Sequence, residues 1–409
     1  MNKKFFLAAI RAALENKTVE WDDSITVEEW KRFFQVAFLQ NVLPLVANSV
    51  FESEVYKRSG RPFLAEIRNC VRHLVVGQIR KTEEFLELYK LLLWNGLQPI
   101  VVKGIVCRKL YPNPDNRLSS DEDLYVSEGT FEQCHKLLLE SGMEIVARDV
   151  PNVNILHEVT YTKKDGALCV ELHKELFGTE FEAYANMNEQ FENVFDNSVC
   201  FDINGVEIRT MNHSMHLLFL IIHIFKHFIN SGVGIRQVCD IVMYANAYGS
   251  QVDWDFVMEA CKVLNADIFA VALFDIGRNY LEFDMDRACY PEQWKTIEIE
   301  SEDLLDDIID AGVYGNSDMI RKHSGSITLN AMDSKPGSVL KTMFPSPKVL
   351  GNRFHYLQKY PFLVPIAWTS RILKYGQETV SGSKDVNAIE SVKLGNQRVE
   401  LMKKYKIIK

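Results

Sequence analysis

The sequence predicts an α+β fold, with a mixed β-sheet set between helical regions at both ends. Three observations predict it. Residues 1–95 carry apolar residues at helical spacing. From Leu97 the pattern switches to short β-rich runs bounded by turn residues. From Asn212 long helical periodicity returns. The expected divisions are an N-terminal helical region at 1–95, a sheet-bearing core at 96–211, a helical domain at 212–315, and a loop-rich connection with terminal helices at 316–409.

The elements follow in order. Thr26 with Glu29 forms a capping-box pattern ahead of "EWKRFFQVAFLQ". A long helix is expected from roughly Pro62 to Trp94, stopped at Gly96. "LQPIVV" reads as a strand, "CRKLY" as a helical turn and "DLYV" as a second strand. "TFEQCHKLLLESG" is a helix with a glycine stop. "MEIVARD", "EVTYTKK", "ALCVELHKEL" and "GVEIRTM" read as four further strands, with a hairpin turn at Asp165-Gly166. "SMHLLFLIIHIFKHFI", "GIRQVCDIVMYANAYG" and "DWDFVMEACKVLNA" are helices, the first apolar enough to be buried. Residues 316–350, rich in Ser, Gly and Pro, read as a loop-rich connection. "YPFLVPIAWTSRILKYG" is an apolar core helix interrupted by Pro365, and the last 25 residues read as a charged, exposed helix.

The chain of 409 residues is long enough for two or three domains. Its net charge of −9 argues against general nucleic-acid binding, which needs an electropositive footprint. The eight cysteines form no C-x-x-C pair. They read as reduced thiols of a cytoplasmic protein. Arg11 and Glu15 interrupt the apolar N-terminal run, which reads as an amphipathic helix rather than a signal peptide. No uncharged apolar run reaches the ~18 residues of a membrane span.

Candidate chemistry centres on "SSDEDLYV". Asp121 and Asp123 lie two apart in an expected strand, so their side chains share a face. Two carboxylates together are either a polar strand entry or half of a site for a hard cation, Mg²⁺ or Mn²⁺. Glu122 points to the other face and is not a ligand. Glu171 lies between Val170 and Leu172, where an acid is costly unless it binds something or lies at an edge. If that strand pairs beside Asp121 and Asp123, three carboxylates meet, enough to hold two Mg²⁺ ions.

The order of these pieces resembles the nucleotidyltransferase superfamily with a DNA polymerase β-like core. It is closer to a bacterial uncharacterised nucleotidyltransferase family with the pattern KG, R, DiDl, V and ElH. The matching residues are Lys103, Gly104, Arg117, Asp121, Asp123, Val126, Glu171, Leu172 and His173, with His223, Phe228, Gly234, Ile235, Arg236, Asp240, Asp253 and Trp254 in the later helices. The resemblance implies Mg²⁺-dependent transfer of a nucleoside monophosphate from an NTP, expected to be ATP, to a hydroxyl-type acceptor on a small molecule or a protein. It implies Asp121, Asp123 and Glu171 as catalytic metal ligands. Lys103, Gly104, Arg117 and Arg236 would meet the nucleotide, with Gly104 letting backbone approach the phosphates. His173, His223 and Asp240 would support from behind. The superfamily's usual serine after the glycine is Ile105 here, so Lys103, Arg108 and Arg117 are the expected sources of phosphate-binding charge.

His213, His216, His223 and His227 lie on one side of a helix, as buried hydrogen-bonded groups or as residues facing the nucleotide; His223 and His227 have i, i+4 zinc spacing but no HExxH glutamate or third ligand beside them. Arg236 and Asp240 form an i, i+4 pair, structural or phosphate-facing. A DxD glycosyltransferase would need a larger Rossmann-like unit ahead of Asp121. A catalytically silent binding protein on the same fold is the third reading.

Overall fold

The computed structural model describes residues 3–408 apart from 20, 22–23, 52, 59, 147–152, 154–155, 179–183, 185, 312–318, 333–349, 351–356, 358–359 and 371–387. The N-terminal part folds into helices α1 (Lys3–Leu14), α2 (Val27–Leu39), α3 (Leu43–Phe51), α4 (Glu54–Lys57) and α5 (Arg61–Trp94). The capping box at α2 forms: the Glu29 amide donates to Thr26 Oγ1 and the Thr26 amide donates to the Glu29 carboxylate.

The sheet follows as β1 (Ile100–Val102), helix α6 (Gly104–Arg108), β2 (Glu122–Tyr125), helix α7 (Glu128–Glu140), β3 (Met143–Ile145), β4 (Glu158–Lys163) and β5 (Cys169–His173). Spatial order is β1-β2-β5-β4-β3. Only β2 and β5 run parallel; the other pairs are antiparallel. The last four residues of "MEIVARD" reach beyond β3, and 147–149 among them lie outside the described residues. Asp165 takes a positive φ of 58° in the β4–β5 turn, as the Asp-Gly pair requires.

Alternation divides the sheet's two faces. Leu124, Val159, Tyr161, Val170 and Leu172 point to one side, into a core shared with Phe85, Tyr89 and Leu92 of α5 and Phe131 and Leu138 of α7. The opposite face carries Asp123, Glu171, His173 and Glu158. Covering one face with two helices leaves the other free for chemistry.

A strand beyond those expected, β6 (Ser198–Ile203), forms a separate hairpin with β7 (Val206–Met211) across Asn204-Gly205. Helices α8 (His213–Asn230), α9 (Ile235–Tyr248), α10 (Trp254–Val263), α11 (Asp267–Tyr280), α12 (Glu292–Lys295) and α13 (Glu302–Ala311) come next. Helix α8 is buried almost all round, and its core continues into α1, α2 and α3. Gln40 fastens that join: its Nε2 donates to Ile308 O and Ile309 O, and its Oε1 accepts from the Ile235 amide.

Two expectations for the C-terminal part need correction. Within 316–350, Met319–Met332 is a helix, α14, rather than a loop, while 333–349 lie outside the described residues. Its small residues permit close packing. A Cβ on Gly325 would come within 2.3 Å of Asn230 O at the end of α8. The terminal helix α15 (Ala388–Lys404) is not simply exposed. Arg398 is buried and donates to Asn230 O, Phe228 O and Ser324 Oγ, and Met402 and Tyr405 enter the core. Of the Pro365 segment, 361–363 form a 3₁₀ turn and 364–370 are helical; 371–376 lie outside the described residues.

Candidate active site

The parallel pairing of β2 and β5 places Asp123 directly beside Glu171, and Glu171 beside Thr160 of β4. His173, two residues on from Glu171, emerges on the same face next to Glu158. Asp121, just before β2, lines the same cavity. This cavity, about 210 Å³, has the sheet's acids on one wall; Lys103, Phe219, His223, Lys226 and His227 complete it from β1 and α8.

Asp123, Glu171 and His173 bring one ligand atom each within 4.8 Å of one another. His173 Nε2 lies 3.2 Å from Asp123 Oδ1 and 3.6 Å from Glu171 Oε2, and its Nδ1 lies 3.4 Å from Glu158 Oε2. Burial alone would lower the His173 pKa. The bonds to Asp123 and Glu171, with the Glu158 charge, outweigh it and push the pKa up to about 10. Burial likewise opposes ionisation of Glu158, but His157, His173 and Lys226 hold its carboxyl well below the usual range. Burial raises the Asp121 pKa, with Lys103 opposing and Asp123 reinforcing the shift.

The donor set fits a divalent cation. Asp123 is 2% exposed, and its Oδ2 has no hydrogen-bond partner among the described residues. A buried carboxylate oxygen is rarely left in that state without an ion to meet it. The tightest cluster contains His173 in place of Asp121; His173 would join the oxygens as a ligand only on releasing the proton that Asp123 and Glu171 hold there. Glu158 was missed in the sequence. An acid opening a strand reads as exposed, and only the β4–β5 register brings it to His173.

Lys103 Nζ lies 2.9 Å from Asp123 Oδ1 and 3.1 Å from His223 Nε2. Its backbone has φ 49° and ψ −121°, a sparsely populated conformation for a residue with a side chain. A buried relay holds it there. The Lys103 amide donates to His216 Nε2, which fixes Nδ1 as the protonated nitrogen facing Thr210 Oγ1, and Thr210 donates to Val101 O. Burial pushes the His216 pKa down to about 3, with His213 adding to the shift.

That shift has a definite sign. Unfolded His216 takes up a proton below about pH 6.5 and native His216 does not, so stability is full above that pH. It falls by about 1.4 kcal/mol per unit as pH drops toward about 3. Urea unfolding between pH 7.5 and 5.5 is expected to show a slope of stability against pH shallower by about half a proton on average in His216→Gln than in the native chain. Equal slopes would show that His216 is not buried neutral.

Five expectations, for Gly104, Arg108, Arg117, Arg236 and Asp240, meet a different geometry. Gly104 does not lie open to phosphates: it is buried, and an added Cβ would come within 2.0 Å of Glu122 Oε2. Glu122 does lie on the other face, but it is a working part of the turn. Its carboxylate accepts from the Ile105 amide at 2.7 Å, from Ser119 Oγ at 3.0 Å and from Arg108. The amide that follows the glycine is therefore already bonded within the chain. Arg108, offered by the sequence as a phosphate contact, is 1% exposed and committed to Glu122, Thr82 and Ser119. Gly104→Ala, strained also by a φ of +31°, is expected to lose about 2 kcal/mol or more in urea unfolding. No loss would mean that Glu122 moves aside freely.

Arg117 and Arg236 are not among the residues lining the cavity. Both face Asp240. Arg117 Nε and Nη2 donate to its two oxygens at 3.1 and 2.6 Å, Tyr111 OH donates at 2.8 Å, and Arg236 Nη1 lies 3.6 Å away. Asp240 thus anchors arginines rather than supporting metal ligands. His223 and His227 do line the cavity, with Nε2 atoms 3.2 Å apart. Burial, then the neighbouring lysines, holds both well below the ordinary histidine pKa.

A family model described as an uncharacterised nucleotidyltransferase matches residues 26–280. That span holds the whole sheet, α8 and every residue of the cavity. No curated protein and no solved structure matches the chain.

Proposed function

Since the chain belongs to the uncharacterised nucleotidyltransferase family, we propose that the cavity transfers a nucleoside monophosphate from an NTP, ATP being the first to test, to a hydroxyl acceptor. One observation carries the reading: Asp123 and Glu171 are register partners on parallel strands, sharing with Asp121 and His173 a cavity whose far wall is basic. In the reaction the acceptor oxygen forms a bond to the α-phosphorus. The bond from that phosphorus to the bridging β-oxygen breaks, and pyrophosphate leaves with the electron pair. The acceptor proton passes to the Glu171 carboxylate.

Asp123, Glu171 and His173, with Asp121 beside them, are the residues that would hold Mg²⁺ or Mn²⁺. When bound, the ion supplies positive charge to phosphoryl oxygens during in-line displacement. The chain's own residues position and balance charge. Lys103, seated against Asp123, and Lys226, which lines the cavity from α8, are the cations that meet a polyanion. Lys103, rather than the Ile105 amide, is the phosphate contact, because that amide is held by Glu122.

The test uses α-labelled NTPs, Mg²⁺ or Mn²⁺ and a panel of hydroxyl acceptors. Label transfer with release of pyrophosphate is expected from the native chain and not from Asp123→Ala. Transfer that survives this substitution would sink the mechanism. Binding of UDP-sugars instead of NTPs would favour glycosyl transfer.

A further inference from the structure

Lys103 occupies an unusual position: an ammonium seated directly on the carboxylate that best fits a metal ion. It lies 2.9 Å from Asp123 Oδ1, with side-chain exposure of 11% for the lysine and 2% for the aspartate. Its backbone is strained and fixed by His216, itself bonded to Thr210. Retreat by moving the chain would break the bond to His216, whereas rotation of the side chain would not. Asp123 Oδ2 has no hydrogen-bond partner among the described residues, and the Asp123 carboxylate is grouped with Glu171 and His173. A divalent cation at that oxygen would face an ammonium on the other oxygen of the same carboxylate. Like charges so close in a shielded cavity repel strongly.

We propose that Lys103 is an exchangeable counter-cation: its ammonium neutralises Asp123 in the free protein and transfers to the triphosphate when the cation and nucleotide bind together. This rests on the nucleotidyltransferase reading and adds an order of binding to it. Free cation is disfavoured by Lys103, whereas the cation–nucleotide complex brings the anion that draws Lys103 away. His223 Nε2, 3.1 Å from Nζ, holds the ammonium beside the cavity through the exchange. Cation and nucleotide affinities are then coupled through one side chain, and by linkage each strengthens the other. The closed Gly104–Ile105 turn makes such a lysine necessary, because its amide already serves Glu122.

The experiment titrates Mn²⁺ by electron paramagnetic resonance into the native chain, Lys103→Met and Lys103→Arg, with and without a non-hydrolysable ATP analogue. Met keeps the length and the backbone strain but removes the charge; Arg keeps the charge. The native chain and Lys103→Arg are expected to bind Mn²⁺ weakly alone and at least about fivefold more tightly with the analogue. Lys103→Met is expected to bind Mn²⁺ alone at least about fivefold more tightly than the native chain, with the analogue adding little. Lys103→Gln gives the same readout should Lys103→Met fail to fold. Equal or weaker Mn²⁺ binding in the uncharged variant, where the native chain does bind Mn²⁺, overturns the exchange and leaves the nucleotidyltransferase reading intact. Absence of Mn²⁺ binding in every protein, with and without the analogue, overturns both.

Discussion

Asp123→Asn is expected to lower nucleotidyl transfer by at least about 10²–10³-fold, the loss typical of removing one preorganised charge contact. Asp123 is the residue on which the cavity's contacts converge. Its Oδ1 meets both Lys103 and His173, and its backbone pairs with Val102 on one side and Glu171 on the other. Asn keeps the shape but halves the acceptors and removes the charge, so Lys103 and His173 lose their shared partner while β2 stays in register. Glu171→Gln is expected to match it, because it removes both a ligand and the base. Asp121→Asn is expected to fall short of both, since Asp121 lies outside the tight cluster. The measurement is kcat with saturating NTP and Mg²⁺, alongside circular dichroism to show that each variant folds. An Asp121→Asn loss larger than that of Asp123→Asn would place the ion nearer the strand entry than the Asp123–Glu171–His173 cluster.

Period-2 alternation made the acid face of the sheet readable. Asp121, Asp123, Glu171 and His173 fall on one face because two strands alternate cleanly, and their neighbours Leu124, Val170 and Leu172 mark the core side. What alternation could not supply was the register between strands. Glu158 needed the pairing of β4 with β5 before it could be placed against His173. Alternation assigns Glu122 to the core face but says nothing of its purpose, because its partners Arg108 and Ile105 come from a helix folded back on the core side of β2. The glycine at 104 looked like a phosphate device for the same reason; the group that crowds it is a carboxylate of the same chain. Composition misled in α14, where Gly and Ser suggested a loop. There small residues serve helix packing, a long-range contact that no local pattern records. Strand β6 was open to the same reading, since Val199, Phe201 and Ile203 alternate with Ser198, Cys200 and Asp202, although none of its six residues is fully buried.

Asp240→Ala is expected to destabilise the protein by about 3–5 kcal/mol, the range for breaking a buried ion pair by removing one partner. Asp240, Arg117 and Arg236 are 3–4% exposed, and two guanidinium groups share this one carboxylate. Burial opposes the charge on Asp240, but Arg117 and then Arg236 hold its carboxyl below the ordinary range. Its contribution is therefore complete at neutral pH and is lost only as pH falls through that depressed value. Removing it leaves two desolvated cations, with Arg117 Nη1 and Arg236 Nε already lacking hydrogen-bond partners among the described residues. The damage extends to the cavity. Tyr111, which follows α6, donates to Asp240, and α6 begins at the residue after Lys103. Loosening that anchor releases the helix that helps fix the lysine's turn. Urea unfolding is expected to show the full loss in Asp240→Ala. Asp240→Leu combined with Arg117→Met should recover part of it, because an apolar pair of similar volume no longer strands the Arg117 charge. A loss below about 1 kcal/mol in the single variant would mean that water reaches the arginines and that the network is not closed.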